Sequence, residues 1–222
     1  MKFLLYFMAI LIYAQNINFQ TYSKNKSYCD NNKWKYCSEY NITYLEFNQT
    51  NLKQIVKNLY SHTFKEFYNQ NPQKDIQEML EYQEDRDVDM FNDTNISLFT
   101  LTKNTITLKK EIISYSGGAH GMDEVYFYNY NLKTKKLITL KQLFDIKKLT
   151  KIAKQYYKNL KHIKNLKDDG WFENKFVLSQ EFAITKKGIL FYYNSYEIKP
   201  YSFGHPKFIL PYNQIPKTVY KE

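Results

Sequence analysis

Apolar residues along the chain follow two different rhythms, and each predicts its own elements. Leu52, Ile55, Val56, Leu59, Tyr60, Phe64 and Phe67 recur at three- and four-residue steps. They therefore share one face of a helix that runs to about Tyr68, with Thr50 or Asn51 at the capping position. Pro72 opens a second, acidic helix through Ile76, Met79 and Leu80, fading at Asp85 to Asp89. A third starts at Ile146 and carries Leu149, Ile152, Ala153, Tyr156 and Leu160 on one side.

Shorter β-branched and aromatic runs predict strands. They cover Asn41 to Phe47, Ile96 to Thr102, Thr105 to Ser114, Val125 to Asn131, Leu137 to Leu140, Phe182 to Thr185, Ile189 to Tyr193 and Phe208 to Pro211. Lys103-Asn104 and Lys187-Gly188 read as tight turns, and Lys133 to Lys136 as a longer one. Helices and strands come in mixed runs without strict alternation. The order predicts an α+β fold: an antiparallel sheet with helices packed mainly on one face.

One apolar run belongs to neither rhythm. Met1-Lys2 precede an uncharged stretch from Phe3 to Ala14, and polar Gln15, Asn16 and Asn18 follow at once. Charge, apolar run and small residue in that order predict a secretory signal peptide over residues 1–14. The run falls short of the roughly 20 apolar residues that span a bilayer. An uncleaved anchor is the competing reading. Cleavage would leave a mature chain from near Gln15, periplasmic or secreted, with no membrane span. No cysteine follows the run to carry a lipid.

Export changes how the remaining composition is read. In an oxidising compartment Cys29 and Cys37 predict a disulfide across a short loop. There is no C-x-x-C spacing and no nearby His to support a redox or metal pair. The net charge of +10 would point to nucleic acid inside a cell. Outside the cytoplasm, and with lysines spread along the sequence, an envelope protein or anionic glycan is the expected partner.

Tyr115-Ser116-Gly117-Gly118-Ala119-His120-Gly121 is the most distinctive segment. Asn129-Tyr130-Asn131-Leu132-Lys133-Thr134 follows, then Leu137 to Phe144. Further on come Gly188-Ile189-Leu190-Phe191, Tyr196-Glu197-Ile198, Pro200-Tyr201, Gly204 and Ile209-Leu210-Pro211-Tyr212. In this order the blocks resemble the C-terminal module of RsiV-type exported proteins, a domain family of unknown function. The preceding Tyr28 to Lys110 resembles the partner module found with it, and also beside a peptidoglycan deacetylase domain. The resemblance implies two modules, 15–110 and 111–222, and binding of lysozyme or contact with the cell wall. Asn131 stands where the family tends to have Asp, and Lys135 where it tends to have Gly, which tolerates positive φ without cost.

The candidate contacts are Gly117, Gly118, Ala119, His120, Gly121, Gly204 and His205, a recognition loop and a second turn. A bland reading has His120 fixing the loop through a backbone carbonyl. The chemical alternative is a hydrolase acting on an envelope polymer, with His120, Asp123 and His205 as metal ligands or as general acid and base. Spacing supports no cofactor, and Ser116 and Ser202 lack a nucleophile-elbow setting. Glu197 among tyrosines reads as a paired carboxylate. Asn95, in an acidic-x-Asn-x-Ser/Thr pattern expected just before a strand, is the glycosylation candidate; Asn41 and Asn48 carry the same pattern around a predicted strand.

Overall fold

The computed structural model describes residues 17–31, 35–81 and 87–221. The expected signal peptide and the start near Gln15 lie outside them. Five strands form the first sheet: β1 (Phe19–Asp30), β2 (Tyr36–Phe47), β3 (Val88–Leu101), β4 (Thr105–Tyr115) and β5 (Met122–Asn131), in that order across it. Every pairing is antiparallel except β2 with β3. A parallel pair needs a crossover. The helices α1 (Thr50–Asn69) and α2 (Pro72–Glu81) supply it. The chain continues through the short α3 (Leu140–Leu143) and α4 (Ile146–Leu160) to β6 (Glu181–Ile184), β7 (Gly188–Tyr192) and β8 (Lys207–Pro211), an antiparallel sheet of three strands.

The α+β expectation holds, with each sheet carrying its helices on one face. Leu52, Ile55, Val56 and Leu59 of α1 pack against Leu45, Phe47, Ile96, Ile106, Leu108 and Tyr130. Ile76 of α2 meets Tyr36, Val88 and Met90 further along. On the other side of β5, Val125 and Phe127 pack against Ala183, Leu190 and Tyr192. Phe191, Phe208 and Leu210 join Leu149, Ala153 and Tyr157 of α4 in the largest core. Burying each such side chain is worth roughly 1.5–3 kcal/mol, so these layers hold the two sheets together.

Several local expectations change. Thr50 and Asn51 lie inside α1; Gln49 is its N-cap and makes no side-chain capping bond. The helix has no basic residue in its last turn. Lys26 from β1 takes that role, its Nζ donating to Phe67 O, Tyr68 O and Gln70 O at 3.1, 2.9 and 3.3 Å. Leu137 forms only an isolated bridge with Tyr130, and Leu140 already begins α3. The boundary expected at 110/111 falls within β4, whose sheet runs on to Asn131.

At the turn after β5 the Asn131 side chain accepts from the Lys133 and Thr134 amides, both at 2.9 Å. Lys135 has φ 59°, the left-handed conformation that glycine adopts freely.

The outer edge of β5 is closed by groups from later in the chain. Asn194 pairs with Val125 like a strand, accepting from its N–H at 2.8 Å and donating to its C=O at 3.1 Å. Glu181 accepts from the Phe127 amide at 2.9 Å. The Ile138 amide donates to Asn129 O at 2.7 Å, and the Asn131 amide to Lys136 O at 3.0 Å.

Candidate functional site

The loop between β4 and β5 is built by two glycines with different tasks. Gly117 has φ 91° and is buried, with room for a Cβ only at 3.4 Å from Met79 and Val88. A Cβ on Gly121 would stand 2.9 Å from Ser114 O, closer than real side chains come. Tyr115 Oη donates to Gly118 O at 2.9 Å across the loop. Gly118, Ala119 and His120 are left exposed. Of the expected contact residues, Gly117 therefore shapes the loop from beneath, while its neighbours face outward.

His120 lies 2.9 Å through Nδ1 from Gly121 O, so Nδ1 carries the proton and donates. The backbone-carbonyl reading of this histidine matches that geometry. Its ring stacks on Tyr201, centroids 4.1 Å apart and planes inclined by 18°. Nε2 is left as an acceptor facing the Tyr196 hydroxyl at 3.5 Å. Tyr196 is 48% exposed and sits at φ 64°, a strained conformation for a bulky residue. A tight turn holds it: the Glu197 amide donates to Asn194 O, and Glu197 accepts from the Asn194 amide at 3.0 Å. Burial raises the Glu197 pKa above the usual carboxylate range, against this amide bond. Glu197 is thus the turn's fastener.

His205 and Asp123, brought together from opposite ends of the C-terminal half, bond through Nε2 and Oδ2. The His205 ring stacks on Tyr192 at 5.3 Å. Burial, with Asp123 and Glu111 adding negative charge, pushes the Tyr192 hydroxyl pKa upward. The two predicted loops therefore do meet: His120 against Tyr201, Asp123 against His205. They do not form a ligand set. Among the described residues no group of three or more His, Cys, Asp or Glu is placed to hold a metal.

Sequence reasoning missed the aromatic character of this surface. Beside Tyr201, in the same short turn, stands Phe203, 52% exposed. Lys199 Nζ lies 5.3 Å from the Phe203 ring centroid. The available signal was the aromatic spacing between Asn194 and His205, bracketed by Pro200 and Gly204.

Part of the positive charge is concentrated on one helix. Lys147, Lys148, Lys151, Lys154 and Lys158 all belong to α4, and the first four are exposed. Cys29 and Cys37 form the expected disulfide between β1 and β2. Asn95 is exposed but lies within β3, paired with Thr43 and Glu111 on its two sides. It was expected ahead of a strand because the polar stretch from Asp89 hid the strand's beginning. Asn41 is engaged in a ladder, accepting from Asn25 at 2.7 Å and donating to Asp93 at 2.8 Å.

No curated protein matches this chain. Two crystal structures share its fold. A DUF3298 family member from Bacteroides fragilis superposes with a TM-score of 0.75 at 18% identity, covering 93% of this chain and 94% of the other. A DUF3298 family protein from Pseudomonas aeruginosa PAO1 gives a TM-score of 0.67 at 18% identity, covering 92% and 94%. Residues 134–213, which hold Tyr196, Tyr201 and His205, match the family described as "Protein of unknown function (DUF3298)".

Proposed function

We propose that this chain is an exported, RsiV-like protein of the cell envelope that acts by binding, its ligand a lysozyme-type hydrolase or peptidoglycan itself. The observation that carries this reading is the stack of His120 on Tyr201. It joins two separate loops into one exposed surface, with Tyr196 held out at its edge. Rigid aromatic rings on loops give large contact area at low entropic cost. The Cys29–Cys37 disulfide favours a periplasmic or secreted location. The lysines of α4 favour an anionic partner or rim.

The hydrolase alternative is weaker on this geometry. Asp123 holds His205 through Nε2, the remaining Nδ1 is buried away from any substrate, and His120 Nδ1 is bonded to its own loop.

The test is binding of the exported chain to immobilised lysozyme and to insoluble peptidoglycan at physiological salt. Micromolar or tighter binding to either, weakened about tenfold by Tyr196→Ala or His120→Ala, is the expected result. Absence of binding to both sinks the proposal. Turnover of peptidoglycan that disappears in His205→Ala would replace it with the hydrolase.

A further inference from the structure

We infer that the chain carries a second binding site, a polar cleft beneath α1 suited to a neutral, hydroxyl-rich ligand of one or two sugar rings. The inference does not rest on the aromatic surface proposed above.

The helix-facing side of β3 reads Val88, Met90, Asn92, Thr94, Ile96. Val88 and Met90 belong to the core under α2, and Ile96 to the core under α1. Between two apolar clusters on one sheet face, the pattern turns polar at Asn92 and Thr94. The opposite wall turns polar at the same place. The buried stripe of α1 runs Leu52, Ile55, Val56, Leu59 and then Thr63, with Glu66 following. In β4, Ile106 and Leu108 give way to Lys110. These residues line an open cleft of about 470 Å³, with Thr63, Glu66, Asn92, Thr94, Lys110 and Ile112 among its walls. That size is ordinary for small-molecule sites, roughly 300–1,000 Å³. A neighbouring cavity of about 310 Å³ shares Asn92 and extends to Asp75 and Tyr115.

The helix wall is also polar where packing gives no reason for it. Thr63 is 2% exposed, and its hydroxyl has no hydrogen-bond partner among the described residues. A threonine inside a helix usually gives its hydroxyl to the carbonyl four residues back. Thr150 in α4 does so, to Ile146 O at 2.7 Å. A buried hydroxyl left unpaired is a cost that valine at this position would avoid.

The lining selects the ligand class. Lys110 is 5% exposed, and its charge is met by Glu66 at 2.9 Å. Among the described residues along the cleft wall no other cation stands to draw an anion, and nearby Lys26 is turned to the carbonyls at the end of α1. Asn92 and Thr94 can both give and accept hydrogen bonds, which is what sugar hydroxyls need. Ile112 and Phe67 offer an apolar surface for the C–H face of a ring.

The test is amide chemical-shift mapping of the exported chain with N,N′-diacetylchitobiose and maltose, using inorganic phosphate and spermidine as charged probes. A saturable millimolar or tighter response to a sugar, centred on residues 63–70, 92–94 and 110–112, is expected. Asn92→Ala is expected to weaken it about tenfold, while Thr63→Val, whose hydroxyl is sealed from the cleft, is expected to hold or raise the melting temperature. Tyr196→Ala is expected to leave it unchanged, which separates this site from the aromatic surface. The inference is overturned if neither sugar gives a saturable response there. It is also overturned if only phosphate or spermidine does, or if Asn92→Ala and Thr94→Val both bind as well as the parent.

Discussion

Lys199, 5% exposed, places Nζ 2.7 Å from Asp169 Oδ2, and the same oxygen accepts the Tyr157 hydroxyl at 2.5 Å. Trp171 Nε1 donates to Tyr157 Oη at 3.3 Å, so the chain of contacts ends in the largest core. Removing one partner of a pair this enclosed leaves the other charge stranded. Asp169→Ala is expected to cost about 3 kcal/mol, read as a lower urea midpoint at pH 7. Lys199→Met, which removes the charge and keeps the bulk, is expected to cost clearly less than Lys199→Ala. A loss near zero for Lys199→Met, which strands Asp169 without opening a cavity, would show that the pair has no such role.

The same pair predicts an acid response. Burial works against the Asp169 carboxylate, but bonds from Lys199 and Tyr157 outweigh it and hold its pKa below the ordinary 3.8. A carboxylate depressed in the folded state stabilises fully above its unfolded pKa. That contribution fades as pH falls through the lower, folded value. Asp169→Asn is expected to flatten the stability profile below about pH 4 and nowhere else.

Glu181 predicts the opposite sign. Burial raises its pKa above the ordinary 4.5, helped by Glu197 and opposed by the Phe127 amide. A carboxyl raised in the folded state costs stability as pH climbs from the unfolded pKa through the folded one. Glu181→Gln keeps an acceptor for Phe127 and is expected to raise the melting temperature at neutral pH. The gain should vanish in acid, below both values. A constant offset at every pH would rule out this explanation.

Lys135 at φ 59° occupies a conformation that costs a non-glycine residue about 1 kcal/mol. Its Nζ bond to Gln54, 2.7 Å and exposed, offsets little of that. Lys135→Gly is expected to stabilise by about 0.5–1 kcal/mol in denaturant titration. A loss would mean the turn is held by the lysine side chain after all.

The disulfide pairs opposite residues of β1 and β2, eight positions apart in sequence. Closing so short a loop is worth about 2–3 kcal/mol. Reduction, or Cys29→Ser with Cys37→Ser, is expected to lower stability by that amount. Unchanged melting under reducing conditions would show that the edge strand contributes nothing to the cooperative unit.

What the chain made legible was local. The helix face from Leu52 and the hairpin around Lys103-Asn104 carry their own periodicity, and both formed. β1 did not announce itself: Gln20, Ser23, Lys24, Asn25 and Lys26 form an exposed edge strand that buries no hydrophobic stripe. The parallel registration of β2 on β3 links residues some fifty positions apart and leaves no trace in either strand alone. At the candidate site, the glycine loop and the turn at His205 were visible as motifs. The stacking of His120 on Tyr201 was not, since it joins residues 81 apart through the packing of β5 against the second sheet. Thr63 was passed over because its apolar neighbour Phe64 fitted the helical rhythm, yet Thr63 is the one fully buried.

The groups that close the Val125–Phe127 part of the β5 edge come late. Asn194 follows Val125 by 69 residues, and Glu181 follows Phe127 by 54. A chain emerging from its N-terminus at about 5–20 residues per second thus presents the completed first sheet with one flank open for several seconds. During that interval any extended segment can add to the flank as an extra strand. Truncation before Asn194 makes the interval permanent. Shortened forms of this protein should therefore accumulate as aggregates even though every strand of the first sheet is intact.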